Sequence, residues 1–245
     1  MVAGWGSIEY GTVGFTPGQV EGGRWKPLQY FLRRFLYRDH HIAASVDARV
    51  HVRSDDAFAP TNATATLTYL HLATGANSPG ASFPVALAHG ASSSYWGCAD
   101  GVNASWHCDS WAQLLPRVGC APDGSDCVAF FELRDSVTGQ LLAENFELLA
   151  PVWRLALPAA NVTAAVGAPQ ADGSVPITLT ASATALFVHL TTLAQGRFSD
   201  NSLLLPPGDT VVSFLPWGPL DAELLRSSLR VEHVQLYGVN STTAY

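Results

Sequence analysis

Charged side chains are scarce in this sequence of 245 residues, since Asp, Glu, Lys and Arg make up only 13% of it, about half of their usual share. The 13 basic residues are outnumbered by 20 acidic ones, and no basic stripe that would contact nucleic-acid phosphates is visible. The chain has a single Met and 15 Pro, a composition that disfavours long helices. These shortages argue against a nucleic-acid-binding protein and against a helix bundle.

Long hydrophobic runs are lacking as well. The nearest candidate for a membrane span, residues 150–166, is interrupted by Pro151, Arg154 and Pro158, so no membrane-spanning segment is predicted. The first residues carry neither the basic nor the apolar region of a signal peptide. The sequence contains no Cys-x-x-Cys pair, no Gly-x-Ser-x-Gly turn and no glycine-rich phosphate loop after a strand, which leaves no motif for a metal, a cofactor or a serine nucleophile.

Two groups of titratable residues remain as candidates for chemistry, and neither is convincing. Glu144 and Glu147 lie three positions apart on a predicted strand, so their side chains face opposite ways and cannot share a substrate. His40 and His41 follow Asp39 but lack the spacing and partners of a metal site. No catalytic residue and no metal ligand is therefore expected within the chain.

Cysteines and glycosylation sequons point to the secretory pathway. The four cysteines lie in one segment and allow three pairings, of which closure of short loops favours Cys98–Cys108 with Cys120–Cys127. Because these features occur without a leader, we expect the chain to be the tail of a longer protein. Four Asn-x-Ser/Thr sequons are expected to carry glycans, at Asn62, Asn103, Asn161 and Asn240.

The hydrophobic period changes near residue 39. Before it, an amphipathic helix is predicted over residues 25–36, with nothing nearby in the sequence to cover its apolar face. We therefore expect this face to be exposed. The residues of the face are Trp25, Leu28, Phe31, Leu32 and Phe35.

From residue 39 onwards, apolar and polar residues alternate with the period of half-buried strands. Strands about ten residues apart, with turns between them, indicate β-sandwiches. The predicted fold class is all-β, with two immunoglobulin-like β-sandwich domains over residues 39–152 and 153–245. A hairpin turn is predicted at 136–139 and a short helix at 222–228. The predicted strands are 46–53, 63–72, 83–88, 128–135, 141–149, a strand at Leu155, 162–166, 177–181, 186–193, 210–215 and 229–236.

Motifs at both ends of the chain carry a family resemblance. Residues 5–11 read Trp-Gly-Ser-Ile-Glu-Tyr-Gly, and residues 23–30 read Gly-Arg-Trp-Lys-Pro-Leu-Gln-Tyr. Near the other end, residues 196–201 read Gly-Arg-Phe-Ser-Asp-Asn, and residues 214–217 read Phe-Leu-Pro-Trp. The first pair resembles the end of the catalytic barrel of β-mannosidases in glycoside hydrolase family two, and the second resembles the last domain of the lysosomal-type enzymes.

This resemblance implies that residues 1–38 are a helical remnant of a (β/α)8, or TIM, barrel, made of its last loop and helix with an insertion at residues 12–22. The insertion is either a lineage-specific loop or a gene-model error. The family consists of retaining exo-hydrolases that release terminal β-linked mannose, and two barrel glutamates catalyse the reaction through a covalent glycosyl-enzyme. Both glutamates would lie upstream of residue 1. The chain alone is therefore expected to be inactive, to need no cofactor, and to meet β-mannoside glycans only through the missing catalytic domain.

The resemblance further implies a lysosomal, other secretory-pathway, vacuolar or extracellular location. It also singles out Trp5 as the residue of this chain that is expected to bind substrate. An indole at the rim of a barrel strand stacks on a pyranose face, or packs between barrel and helix, and the sequence leaves both roles open. Glu9, in the same loop, is interpreted as structural.

Structural roles are expected for the remaining motifs. Residues 197–201 are interpreted as a turn whose Phe198 fills the core, and Trp217 as an aromatic corner packed in the core. Trp96, Trp106 and Trp111 are expected to be enclosed by their own disulfide loop. An alternative reading is a free-standing secreted β-sandwich module that binds carbohydrate. The apolar helix face over residues 25–36 discriminates the two readings, because a free module has no use for it.

Overall fold

The computed structural model describes residues 8–9, 24–25, 27–89, 93–100 and 108–238. These residues form two compact units, one of residues 33–156 and one in which the described residues up to Leu32 join residues 157–238. Each unit has its own hydrophobic core. Within the described part of the chain, no helix combines the length and the apolar character needed to cross a membrane.

A short hairpin and a helix make up the N-terminal segment. Strand β1 (Ile8–Glu9) pairs antiparallel with β2 (Arg24–Trp25), which sets Ile8 opposite Trp25 and Glu9 opposite Arg24. Helix α1 (Pro27–Phe31) follows and continues as a π-helix over Leu32–Leu36. Pro27 is tolerated there because the first turn of a helix has no partner for its backbone nitrogen.

Residues 33–156 form a β-sandwich. One sheet has three antiparallel strands in the order β3-β4-β7, and the other has four in the order β6-β5-β8-β9. A helical turn, α2 (Trp111–Leu114), leads into a 3₁₀-helix over Leu115–Val118, and a second 3₁₀-helix spans Val152–Arg154. The strands are β3 (His40–Ala44), β4 (Arg49–Ser54), β5 (Thr61–His71), β6 (Asn77–Leu87), β7 (Ser93–Cys98), β8 (Cys127–Asp135) and β9 (Leu141–Leu148).

The predicted turn at residues 136–139 is confirmed between β8 and β9. The Asp135 carboxylate accepts the backbone N–H groups of Val137 and Thr138 at 3.0 and 2.7 Å. These donors, together with the Thr138 hydroxyl, lower the pKa of Asp135. Gly139 supplies the left-handed backbone, with φ of 71°, that the turn requires.

Both disulfides form with the expected pairing. The Cα atoms of Cys98 and Cys108 lie 5.3 Å apart, and those of Cys120 and Cys127 lie 5.9 Å apart. The loop closed by the second bridge is held further by Asp126, whose carboxylate accepts the Ala121 N–H at 2.8 Å. The cross-link therefore ties the end of the 3₁₀-helix to the start of β8.

The second unit contains another two-layered arrangement of strands. A four-stranded sheet has the order β10-β11-β15-β13, while β12 pairs with β14 on one side and β16 on the other. Helix α3 (Ala222–Ser228) begins where the Asp221 carboxylate accepts the Leu224 N–H, and α4 spans Gln235–Gly238. The strands are β10 (Val162–Val166), β11 (Val175–Ala181), β12 (Ala185–Thr191), β13 (Gly196–Phe198), β14 (Leu203–Leu205), β15 (Gly208–Pro216) and β16 (Arg230–Glu232).

The all-β prediction is confirmed, and strand 162–166 and helix 222–228 are correct to the residue. The predicted strand 83–88 covers only the second half of β6, and no strand was predicted at β3, β7, β13 or β14. Three further predicted strands are wrong in part or whole. Val46 is 94% exposed in a turn where Ala48 has φ of 59°, so strand 46–53 begins only at Arg49. The strand predicted over 229–236 is present only as β16, because the chain forms helix α4 from Gln235 onwards. Leu155 follows a 3₁₀-helix and belongs to no strand.

The helix face expected to be exposed is half-buried instead. The Phe31 ring meets the edge of Phe187 at 5.8 Å within its unit, and the Phe35 ring meets Phe146 at 5.7 Å within the other unit. The residues of this face are divided between the two units, because the boundary between the units falls at residues 32–33. The most buried side chain of the helix is Tyr30, 3% exposed, which the predicted face left out. The barrel remnant itself stays a prediction.

Replacing both Cys120 and Cys127 by Ser is expected to lower the free energy of unfolding of residues 33–156 by about 2–3 kcal/mol, because a bridge over a short loop removes that much loop entropy from the unfolded chain. Urea titration followed by circular dichroism measures the change. The parent chain titrated with a reductant is the control, and an unchanged midpoint in the double variant would contradict the expectation.

Candidate functional site

Several predicted site residues lie outside the described part of the chain. Trp5, Trp106, the sequon residues Asn103 and Asn240, and insertion 12–22 all belong to this group. Their predicted roles stay predictions. Glu9, interpreted above as structural, lies in β1, where its backbone pairs with Arg24.

The two spaced carboxylates do not form a catalytic pair. Glu144 and Glu147 lie in the edge strand β9, three residues apart, and therefore point to opposite faces of the sheet. Burial raises the pKa of Glu147, while Glu144 sits opposite Glu132 of β8. A retaining glycosidase needs two carboxyl groups about 5 Å apart on either side of one bond, and this arrangement does not supply them.

Among the described residues, one group of three His, Cys, Asp or Glu side chains is close enough together to hold a metal ion: His71, Cys120 and Cys127. The imidazole Nδ1 of His71 lies 3.4 Å from the Cys127 Sγ, and its Nε2 lies 2.7 Å from the Ser78 hydroxyl. Both sulfur atoms are joined in the disulfide. Since a metal is bound by thiolates rather than by a disulfide, this is a packed cross-link and not a metal centre.

A polar cluster surrounds the buried Tyr30 side chain in the second unit. We call it the Tyr30 cluster, made of Trp25, Tyr30, Arg197, Phe198 and Asn201. The guanidinium carbon of Arg197 lies 4.8 Å from the centre of the Trp25 ring, within the range of a cation–π contact. The Tyr30 ring meets Trp25 edge-on at 5.5 Å, and its hydroxyl accepts the Phe198 N–H at 3.3 Å. Burial raises the pKa of Tyr30.

Asn201 anchors the cluster to strand β12, which belongs to the other sheet of the unit. Its Oδ1 accepts the Leu190 N–H at 2.7 Å, and its Nδ2 donates to the Leu190 carbonyl at 2.8 Å. Asn201 is only 1% exposed, so these bonds form away from water and define the loop after β13. Phe198 is buried against Phe214 at 5.6 Å. Both residues therefore have the structural role expected for 197–201, although Asn201 bonds to β12 as well as to its own loop.

The cavity beside this cluster is too small for a sugar. It measures about 20 Å³, which is room for a single water molecule. A side chain at Gly196 would overlap the Phe214 ring and the Leu215 carbonyl, so glycine is what lets β13 lie against β15. The Tyr30 cluster therefore holds β13 and the helix in place, and its cavity offers no site for a pyranose ring.

The expectation for Trp217 is wrong. Its side chain is 43% exposed, because the residue follows β15 in a loop held to Gln195 by one backbone hydrogen bond of 3.3 Å. Trp111, in contrast, is half-buried in the first unit, where its Nε1 donates to the Ser45 carbonyl at 3.1 Å. Trp96 lies in β7, and its side chain is outside the described part. An exposed indole is therefore the feature of the second unit that the sequence did not reveal.

Two sequons lie among the described residues. Asn62 is exposed on β5, and Asn161 is exposed just before the edge strand β10. Both positions are compatible with an attached glycan, whose presence stays a prediction.

Residues 157–235 match a family model, Ig_mannosidase, described as an Ig-fold domain. The match covers the second unit and identifies it as an immunoglobulin-like domain. The comparison with curated proteins finds no match.

The comparison with solved structures finds one protein that resembles the chain in fold and a second with a lower score. A β-D-mannosidase from Dictyoglomus thermophilum has a TM-score of 0.55 and 16% identity, over 85% of this chain and 23% of its own length. The exo-chitosanase CsxA from Amycolatopsis orientalis has a TM-score of 0.44 and 18% identity, over 80% of this chain and 25% of its own. This chain therefore spans about a quarter of the length of either protein.

Replacing Asn201 by Ala is expected to lower the free energy of unfolding of the second unit by about 2–4 kcal/mol, because two buried backbone groups of Leu190 lose this partner. Asn201→Asp sets a buried carboxylate against the Leu190 carbonyl, and is expected to lower stability at least as much as Ala. Thermal unfolding measures both effects. Asn161→Ala, on the surface of the same unit, is the control; an Ala variant at position 201 that melts like this control would show that the bonds contribute nothing.

Proposed function

We propose that this chain is the C-terminal accessory part of a retaining exo-β-mannosidase that acts on terminal β-D-mannose of glycoprotein glycans or mannan. The observation that carries the proposal is the match of residues 157–235 to the Ig-fold domain of mannosidases. Further support comes from the motifs at residues 5–11 and 23–30, which resemble the end of the family's barrel.

In this proposal the chain contributes architecture and the barrel contributes chemistry. Retaining hydrolysis requires an acid/base carboxyl and a nucleophilic carboxylate on either side of the glycosidic bond. Within the described residues, Glu144 and Glu147 are divided between two faces of a sheet, so neither is assigned a role. Trp5 is proposed as the residue of this chain that meets the sugar, by stacking at the barrel rim.

The proposed location is the lysosome, another secretory-pathway or vacuolar compartment, or the extracellular space. Two disulfides support this location, since cytosolic thiols are kept reduced. Exposed sequons at Asn62 and Asn161 support it further. The substrate would be a β-mannoside glycan, presented to the catalytic domain.

The purified 245-residue chain is expected not to hydrolyse an aryl β-mannoside, because both catalytic glutamates of the proposed enzyme would lie on barrel strands upstream of residue 1. Release of the aryl alcohol measures the activity. Sequencing of the transcript upstream of Met1 completes the test, and an open frame that encodes a barrel with two glutamates is expected. Turnover that persists after repurification, or an in-frame stop codon directly upstream, would overturn the proposal.

A second candidate function, a carbohydrate-binding module, is favoured by the exposed Trp217 indole, since such rings stack on sugars. If the module binds glycans through this ring, Trp217→Ala weakens calorimetric binding of mannan oligosaccharides at least tenfold. Trp153→Ala, which removes an indole 83% exposed in the other unit, leaves binding unchanged. We expect instead that the parent chain shows no binding heat, as an accessory part requires.

A further inference from the structure

The segments that carry the family resemblance meet in space. Trp25 and Tyr30 come from the motif at residues 23–30, and Arg197 and Asn201 come from the motif at residues 196–201. In the Tyr30 cluster the two motifs contact each other through the Arg197–Trp25 pair and the Tyr30–Phe198 hydrogen bond. The C-terminal sandwich is thereby attached directly to the hairpin that follows Trp5 in sequence.

Arg197 is well placed to hold this hairpin because its own backbone is fixed. It lies in β13, where Gly196, Arg197 and Phe198 pair with Pro216, Leu215 and Phe214 of β15. Asn201 then ties the loop after β13 to β12. The guanidinium is thus carried by a strand that pairs with β15 and is followed by a loop tied to β12. Strands hold side chains more precisely than loops do.

Because Trp25 lies in β2, a contact that holds its side chain also holds the backbone of β2, which pairs with β1. Trp25 is the residue opposite Ile8, and Arg24 is opposite Glu9, so holding the indole also holds the partner strand. Strand β1 begins three residues after Trp5 in the sequence. A sandwich that fixes Trp25 therefore also fixes β1.

We propose that Arg197 is a positioning residue that, by holding the Trp25 ring, fixes the β1–β2 hairpin on the C-terminal sandwich. Any consequence of this contact for sugar binding rests on the proposed function. The contact between Arg197 and Trp25, which we call the clamp, rests only on the geometry within the unit. A planar guanidinium covers an indole face better than an ammonium does, so the type of cation matters as well as its charge.

Amide hydrogen exchange on the 245-residue chain tests the clamp. Arg197→Ala is expected to speed exchange of the β1 and β2 amides about fivefold, the loss typical of a partly exposed cation–π contact, while the amides of β11 and β15 exchange as before. Arg197→Lys is expected to restore part of the protection. Arg226→Ala, at an exposed position of α3, is the matched control.

Unchanged exchange in β1 and β2 would overturn the proposal, and so would equal acceleration in β11 and β15, which indicates a general loss of stability. If Arg197→Ala does not fold, Trp25→Phe replaces it, because a smaller ring keeps the apolar packing but weakens the cation–π contact. The same local increase is then expected. Failure of the proposed mannosidase role would appear separately, as glycan binding through Trp217, and would leave the exchange result as it stands.

Discussion

Both units depend on burying one face of each antiparallel sheet against a second layer. In β5, every second residue from Ala63 to Tyr69 is buried, and the threonines between them are half-exposed. Strand β11 repeats the pattern from Val175 to Ala181. Because the side-chain period of a strand is two, this constraint fixes the register of neighbouring strands and leaves the loops and the N-terminal hairpin to carry any specific role.

Alternation in the sequence predicted β5, β8 and β9 nearly to their ends, but it found only the second half of β6. It failed at the start of β4, where the alternation continues through a turn. Val46 and Ala48 continue the period of β4, yet both lie in a turn that joins β3 to β4. The prediction of a strand over 229–236 failed for another reason. His233 and Gln235 are buried there by polar contacts, among them a Gln235 Nε2 bond of 2.8 Å to the Thr184 carbonyl, which a hydrophobic pattern does not register.

The Tyr30 cluster was missed because its contacts are remote in sequence. Tyr30 and Phe198 are 168 residues apart, and no local period links them. A helical-wheel argument selected the stripe from Trp25 to Phe35 instead, on the assumption of a regular helix, whereas the helix changes to a π-helix at Leu32. The available signal was the resemblance itself, since both partners lie in motifs that resemble one family.

A cluster of this kind contributes orientation as well as stability. Asn201 bonds to the backbone of Leu190, and a buried backbone group left without its partner is costly. Directional bonds also admit few alternative arrangements. The hydroxyl of Tyr30, the amide of Asn201 and the guanidinium of Arg197 each fix one segment relative to another. In the proposed function, this fixed geometry would be the contribution of the second unit to a catalytic domain.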